Sequence, residues 1–232
     1  MISVITCTNR QPFIHNLFSN YLSQHLEEKE LIIVLNGDQL DYRLYKEKSM
    51  NHKNITIIQV DEKMSLGECL NLAVSIASYD YIAKFDDDDY YSPFYLLEAM
   101  DSVKKTNAKV IGKSSIYIYF KGEQTLGLYN PNQDNRYIDI STLLMGATLL
   151  IEKKLLMKIP FPDRNLGEDT YFQLQCLSEQ VPIYSTSTYH YAYIRYNTPL
   201  HHTSDSTNVR LMRKCQRLRQ TIDYKKVVRH EN

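Results

Sequence analysis

An α/β architecture, with a mainly parallel central sheet, flanking helices and a helical extension at the C-terminus, is what this sequence predicts. Three observations carry the prediction. Short apolar runs in the first hundred residues are followed by turns and helical patterns, and such alternation implies βαβ units with right-handed crossovers. Polar clusters fall directly after the strands, at Thr8-Asn9-Arg10, Asn36-Gly37-Asp38 and Asp86 to Asp89. Ligands of open parallel sheets bind outside the carboxyl ends of the strands, so three turns are expected to converge on one edge.

The elements follow in order. Residues 2–6 (ISVIT) form a compact β-branched run, and Gln11-Pro12 turns the chain into a helix with Phe13, Leu17 and Tyr21 on one face. Residues 31–35 (LIIVL) are a second buried strand. Asn36-Gly37 can close a hairpin, but the amphipathic DYRLYKEKSM that follows favours a turn into a helix. Residues 55–60 (ITIIQV) are a third strand. A helix over 65–77 opens on Ser65 as N-cap, with Glu68 at the capping-box position. Residues 81–85 (YIAKF) are a fourth strand, ending in four aspartates. Beyond it, a helix is expected over 93–105, strands near Val110 and over 115–120, and a polar stretch over 122–140. Further on, a strand over 147–151 precedes a short helix stopped by Pro160, and another helix opens at Glu168. Residues 189–196 (YHYAYIRY) alternate like an edge strand. From Asn208 onward, Arg210, Arg213, Lys214, Arg217, Arg219, Lys225, Lys226 and Arg229 face only Asp223 and Glu231, which reads as an amphipathic helix with a frayed end.

Composition narrows the function. With 43% hydrophobic and 23% charged residues the chain can bury a core. Its 27 Lys and Arg balance 27 Asp and Glu, which argues against coating nucleic acid, because phosphate binding draws on surplus cations. Nineteen Tyr and no Trp supply rings with a polar edge, suited to sugar faces and equally to cores. Four cysteines without a CxxC pair predict buried free thiols rather than a zinc or redox motif. The sequence predicts no signal peptide and no membrane span, hence a cytoplasmic protein, with the inner face of the membrane as its alternative location.

Consecutive aspartates after a buried strand raise one another's pKa. A divalent cation is the simplest compensation, and hard carboxylate oxygens suit Mg²⁺ or Mn²⁺. Asp86 and Asp88 can point the same way in a D-x-D arrangement; a solvated acidic loop, or Asp89 capping a helix, is the competing reading. No EF-hand, P-loop, GxGxxG, HExxH or GxSxG pattern is present. Gly167-Glu168-Asp169 opens a helix. Acids there are favoured by the macrodipole, and one of them can equally act as general base for a hydroxyl nucleophile. His190, His201 and His202 cluster late, and Arg195 can grip phosphate oxygens bidentately.

Together these pieces resemble the GT-A glycosyltransferases of family 2. The matching segments are residues 2–10, Ser65-Leu66-Gly67-Glu68-Cys69-Leu70-Asn71, residues 81–93 and Gly167-Glu168-Asp169. The resemblance covers roughly residues 1–200. It implies a metal-dependent inverting transferase of the hexosyl or N-acetylhexosaminyl class. The donor would be a nucleotide-diphosphate sugar, most often UDP, the acceptor a carbohydrate, lipid-linked or protein hydroxyl, and the setting bacterial surface glycan synthesis. It implies Thr6, Thr8, Arg10 and Asn36 near the nucleoside, Gly67 and Asn71 passing the base and ribose, and Asp86 at the ribose with Lys84 and Asp87 beside it. Asp88 would hold Mn²⁺ or Mg²⁺, completed by His202, with His201, His190 and Arg195 as candidates for diphosphate or metal contacts. Asp169 would be the base and Glu168 its support. Two positions depart from the family: Asn36 stands where the second strand usually ends in acids, and Leu70 where an arginine usually precedes Asn71. The expected division is a GT-A glycosyltransferase domain over 1–205 and a basic C-terminal helical extension over 206–232. The extension is a candidate for contact with a membrane surface or a second subunit. A nucleotidyltransferase and a catalytically silent GT-A-like binding protein are the rival readings.

Overall fold

The computed structural model describes residues 1–197 and 207–231. Strand β1 (Ile2–Thr8), helix α1 (Ile14–Leu22), β2 (Lys29–Asn36), α2 (Tyr42–Ser49), β3 (Ile55–Val60), α3 (Leu66–Ile76) and β4 (Tyr81–Lys84) alternate as expected. The short β5 (Tyr90–Tyr91) precedes α4 (Tyr95–Thr106), β6 (Val110–Gly112), β7 (Ile116–Phe120), β8 (Thr125–Tyr129) and β9 (Arg136–Tyr137). Then come β10 (Leu150–Glu152), α5 (Lys153–Lys158), α6 (Glu168–Ser178), β11 (Ile183–Ser185) and β12 (Tyr191–Arg195). The chain closes with α7 (Asn208–Lys214), β13 (Gln216–Gln220) and α8 (Tyr224–Val228).

The main sheet runs β3-β2-β1-β4-β10-β6-β11-β9. Its first four strands are parallel, whereas β10 lies antiparallel to both β4 and β6. Strand β1 sits centrally, which its run rich in β-branched residues permits, because both of its faces are covered. Val4 joins the apolar layer of α1, α2 and α4, while Ile5 joins that of α3, α5 and α6. Helix α3 starts where its capping box dictates. Ser65 accepts from the Glu68 N–H at 3.2 Å, and the Glu68 carboxylate accepts from the Ser65 N–H at 2.8 Å.

A second sheet, β13-β8-β7-β12-β5, differs from the sequence expectation in two places. Strand β12 is interior, flanked by β7 and β5, and its alternation reflects Tyr191 and Tyr193 packed on one face and Ala192 and Ile194 on the other rather than an exposed edge. The basic C-terminal segment is not one helix. Its middle, Gln216–Gln220, pairs antiparallel with β8, and the following α8 buries Val228 against Tyr90 and Tyr119. Backbone pairing on an open edge overrides the helical periodicity of this short stretch. Likewise the polar stretch 122–140 contains β8 and β9. No helix among the described residues is long and apolar enough to cross a membrane.

Candidate active site

The four aspartates share one run but have four different surroundings. The loop they form is held by its backbone. Asn16 on α1 donates from Nδ2 to the Asp87 and Asp89 carbonyls at 2.7 and 2.8 Å, and Asn20, one turn on, donates to the Asp89 carbonyl at 2.8 Å. Tyr91 stacks on Phe85 with ring centroids 3.7 Å apart. Its hydroxyl accepts from the Asp86 N–H at 2.8 Å and donates to the Ala147 carbonyl at 2.7 Å.

Asp89 caps no helix. It is buried, takes the Tyr191 hydroxyl and accepts from the Ile194 N–H at 3.0 Å, which ties the loop to β12. Asp87, 2% exposed, accepts from Thr8 Oγ1 at 2.5 Å and pairs with the Arg10 guanidinium. Burial pushes its carboxyl up to about 6, against the pull of Arg10. Asp88 pairs with Arg10 Nη1 at 2.9 Å. Burial acts to lower the Arg10 guanidinium, but Asp87 and Asp88 together hold it above its ordinary value.

Asp86 faces a different cation. Lys84, 6% exposed at the end of β4, reaches Asp86 Oδ1 at 2.9 Å and Glu168 Oε1 at 3.8 Å. Its burial penalty is outweighed by Asp86, Glu168 and Asp169, so the ammonium is held well above its usual value and stays charged. Glu168 is itself pushed up by burial, with Lys84 opposing. Gly167, at a φ of 75° that glycine tolerates, turns the chain into α6 so that Glu168 and Asp169 open the helix. Gln173 fixes that helix by exchanging hydrogen bonds of 2.8 and 3.1 Å with the Leu144 backbone. The half-buried Asp169 lies so close to Gly146 that a Cβ there would meet Asp169 Oδ2 at 1.7 Å.

The structure therefore brings Thr8, Arg10, Lys84, Asp86, Asp87, Asp88, Glu168 and Asp169 to the carboxyl edge of the parallel strands. Thr6 lies 1% exposed inside β1. Three residues expected near the nucleotide hold backbone. Asn36 donates to the Asp61 and Met64 carbonyls, each at 3.1 Å, and to Cys69 Sγ at 3.3 Å. Asn71 exchanges hydrogen bonds of 2.8 and 3.1 Å with the Phe161 backbone. The Gly67 N–H donates to the Arg164 carbonyl at 3.1 Å. These three position the walls around the edge.

His190, expected beside the diphosphate, is brought elsewhere. Its Nδ1 meets Ser92 Oγ at 3.0 Å, its ring leans on Phe94, and it lines a cavity with Glu98, Arg229 and His230. Arg195 is anchored to Asn208 Oδ1 at 2.9 Å and to the Tyr193 hydroxyl at 2.8 Å. His201 and His202 lie outside the described residues. Sequence reasoning missed Asn16, Asn20, Tyr91 and Tyr191. The Asn pair was visible as two amides four residues apart on an otherwise apolar helix face, a spacing that aims both at one target.

Among the described residues no group of three or more His, Cys, Asp and Glu side chains forms a metal cage. The donor chemistry nevertheless fits a hard divalent cation. Mg²⁺ and Mn²⁺ are commonly held by one or two carboxylates plus substrate phosphate oxygens, and Asp86 and Asp88 supply carboxylates on the same loop.

A family model described as Glycosyl transferase family 2 matches residues 3–160. A poly-beta-1,6-N-acetyl-D-glucosamine synthase of Staphylococcus aureus is 30% identical over 123 residues, covering 49% of this chain and 29% of the synthase. The O-antigen biosynthesis glycosyltransferase WbnJ of Escherichia coli is 26% identical over 162 residues, covering 68% of this chain and 64% of WbnJ. The chain thus spans less than two thirds of either relative. Among solved structures, S. aureus TarS 1-349 in complex with UDP-GlcNAc superposes with a TM-score of 0.67 at 20% identity, over 85% of this chain and 59% of that one. The mannosyltransferase PcManGT of Pyrobaculum calidifontis, in complex with GDP-Man and Mn²⁺, gives 0.64 at 13% identity, over 86% and 58%. Both show the same fold.

Proposed function

Because the chain belongs to glycosyl transferase family 2, we propose that it moves a hexosyl or N-acetylhexosaminyl group from a UDP-sugar to a hydroxyl acceptor in bacterial surface glycan assembly. The anomeric carbon is inverted. The observation that carries this reading is the meeting of three segments at one sheet edge: the end of β1, the acidic loop after β4 and the carboxylates that open α6. The names of the matched relatives and the UDP-GlcNAc complex of TarS support the choice of donor and setting.

In this reading Thr6, Thr8 and Arg10 face the nucleoside, and Asn36, Gly67 and Asn71 shape the wall behind it. Asp86 meets the ribose, beside Lys84 and Asp87. Asp88, with His202, would hold Mn²⁺ or Mg²⁺, which when bound would supply positive charge against the departing diphosphate. Asp169 accepts the proton of the attacking hydroxyl from the face opposite the leaving group, and so inverts the centre. Glu168, kept in place by the charged Lys84, orients the acceptor. Residues 1–205 form the transferase unit, and the basic segment beyond it faces a lipid-linked acceptor at the inner membrane surface.

A thermal-shift panel of nucleoside diphosphates and their sugars, with and without Mn²⁺, tests the reading alongside product analysis. The expected result is stabilisation by UDP with Mn²⁺ and release of UDP from a UDP-sugar. Release of pyrophosphate identifies a nucleotidyltransferase instead, and indifference to every nucleotide identifies a non-catalytic binding protein.

A further inference from the structure

The turn that delivers Glu168 and Asp169 is approached by a segment the mechanism above leaves unused. Residues 159–167 join α5 to α6, and they are bound on one side to α3 and on the other to α6. On the α3 side, Asn71 exchanges hydrogen bonds with the Phe161 backbone. The Gly67 N–H donates to the Arg164 carbonyl at 3.1 Å, and the Leu66 N–H donates to Asn165 Oδ1 at 2.8 Å. On the α6 side, the Phe161 and Phe172 ring centroids lie 5.1 Å apart, and the Arg164 guanidinium sits 3.8 Å from the Tyr171 ring centroid.

The opening N–H groups of a helix have no partner within it. In α3 the third of them, on Glu68, goes to the Ser65 hydroxyl at 3.2 Å. The first two go to Arg164 and Asn165, so the start of α3 dictates where those residues lie. Helix α6 has no such means of fixing its own start. It opens on Gly167, which offers no capping side chain and has the freest backbone of any residue. Gln173 holds the helix one turn in. Ahead of Gly167, the restraint falls to Arg164 and Asn165.

We propose that Asn165 is a positioning residue for the reaction. By capping α3 it fixes the approach to Gly167, and with it the place of Asp169 beside Gly146 and of Glu168 beside Lys84. Only Leu166 and Gly167 separate it from Glu168, and its side chain touches α3 rather than the reacting groups. A helix on the donor side and the carboxylates on the acceptor side are thereby held as one body. The part given to Asp169 rests on the transferase reading, whereas the restraint on the turn does not.

The test compares two variants of the full chain. N165L keeps the size of the side chain and deletes the acceptor. N165D keeps a carboxylate oxygen for the Leu66 N–H, at a helix terminus that favours negative charge. Asn165 is exposed, so both variants are expected to fold. Release of UDP from UDP-GlcNAc with Mn²⁺, water serving as acceptor, is followed over donor concentration. In N165L kcat is expected to fall roughly 10–10²-fold, the cost of a small displacement of reacting groups. KM and the thermal stabilisation by UDP are expected to stay unchanged, and N165D to keep the native kcat. Hydrogen exchange of residues 166–172 is expected to quicken in N165L alone. A native kcat in N165L, a fall shared by N165D, or a raised KM in place of the fall overturns the proposal, and so does unchanged exchange. A native chain that neither releases nor binds UDP counts against the transferase reading, and the restraint is then judged on hydrogen exchange alone.

Discussion

Tyr191 gives its hydroxyl to the buried carboxylate of Asp89, beside the Ile194 N–H. Replacing Tyr191 with Phe keeps the ring and deletes the donor. The expected loss is ~1–3 kcal/mol, the usual penalty for a buried group left short of a partner, read as a lower urea midpoint. Asp169→Asn probes chemistry instead. The amide keeps the shape beside Gly146 but cannot take a proton, so UDP stabilisation should persist while transfer falls by roughly 10²–10⁴. Near-normal turnover in that variant removes Asp169 from the base role. At this scale the sequence was legible in part. The run of aspartates after an apolar strand marked the site, but not the separate fates of its members. Asp87 and Asp88 share Arg10, Asp86 takes Lys84, and Asp89 turns to β12. Lys84 lies two residues before Asp86, but the fates of Asp87, Asp88 and Asp89 are set by partners tens of residues away, which local spacing does not encode.

Helix α3 shows how an element can be read correctly while its packing stays hidden. Its cap, length and buried face follow from the sequence. Gly67 within it was expected beside a nucleotide, and its bare Cα also admits the 162–164 backbone: a Cβ there would lie 1.9 Å from the Pro162 carbonyl oxygen. Gly67→Ala must therefore push that segment away, and a destabilisation of ~1–3 kcal/mol is expected by thermal melting, in the range for overpacked sites. Strand β12 is the converse. Its alternation was plain, but its place inside a sheet depends on β5 and β7, and strand order is not written in alternation.

The assembled molecule adds two consequences. His190 joins β12 to the C-terminal segment through its N–H, which donates to the Val228 carbonyl at 2.7 Å. Burial pushes its imidazole below the usual 6.5, with Lys113 and His230 adding to the effect and Glu98 opposing it. The unfolded chain therefore binds this proton first as pH falls. The stability that His190 contributes is present above 6.5 and lost progressively below it. Between pH 7 and 5 the native chain should lose more stability than His190→Asn, which tolerates the left-handed backbone at φ 70°; parallel curves refute this. The basic segment can be probed only by substitution, since deleting it would strip Val228 and Leu211 from the core. R213E with K214E changes two exposed cations and should shift stability by no more than ~0.5 kcal/mol. Reduced co-sedimentation with anionic liposomes then supports a lipid-facing surface, and equal recovery rules it out.

Asn16 and Asn20 hold the loop after β4 by peptide carbonyls, groups that every amino acid carries. The shape of that turn is thereby uncoupled from the chemistry displayed on it. Position 86, the most open of the four, can be exchanged for other residues with the scaffold intact. New side-chain chemistry at this edge is thus within reach of point mutation, without a new fold having to be found.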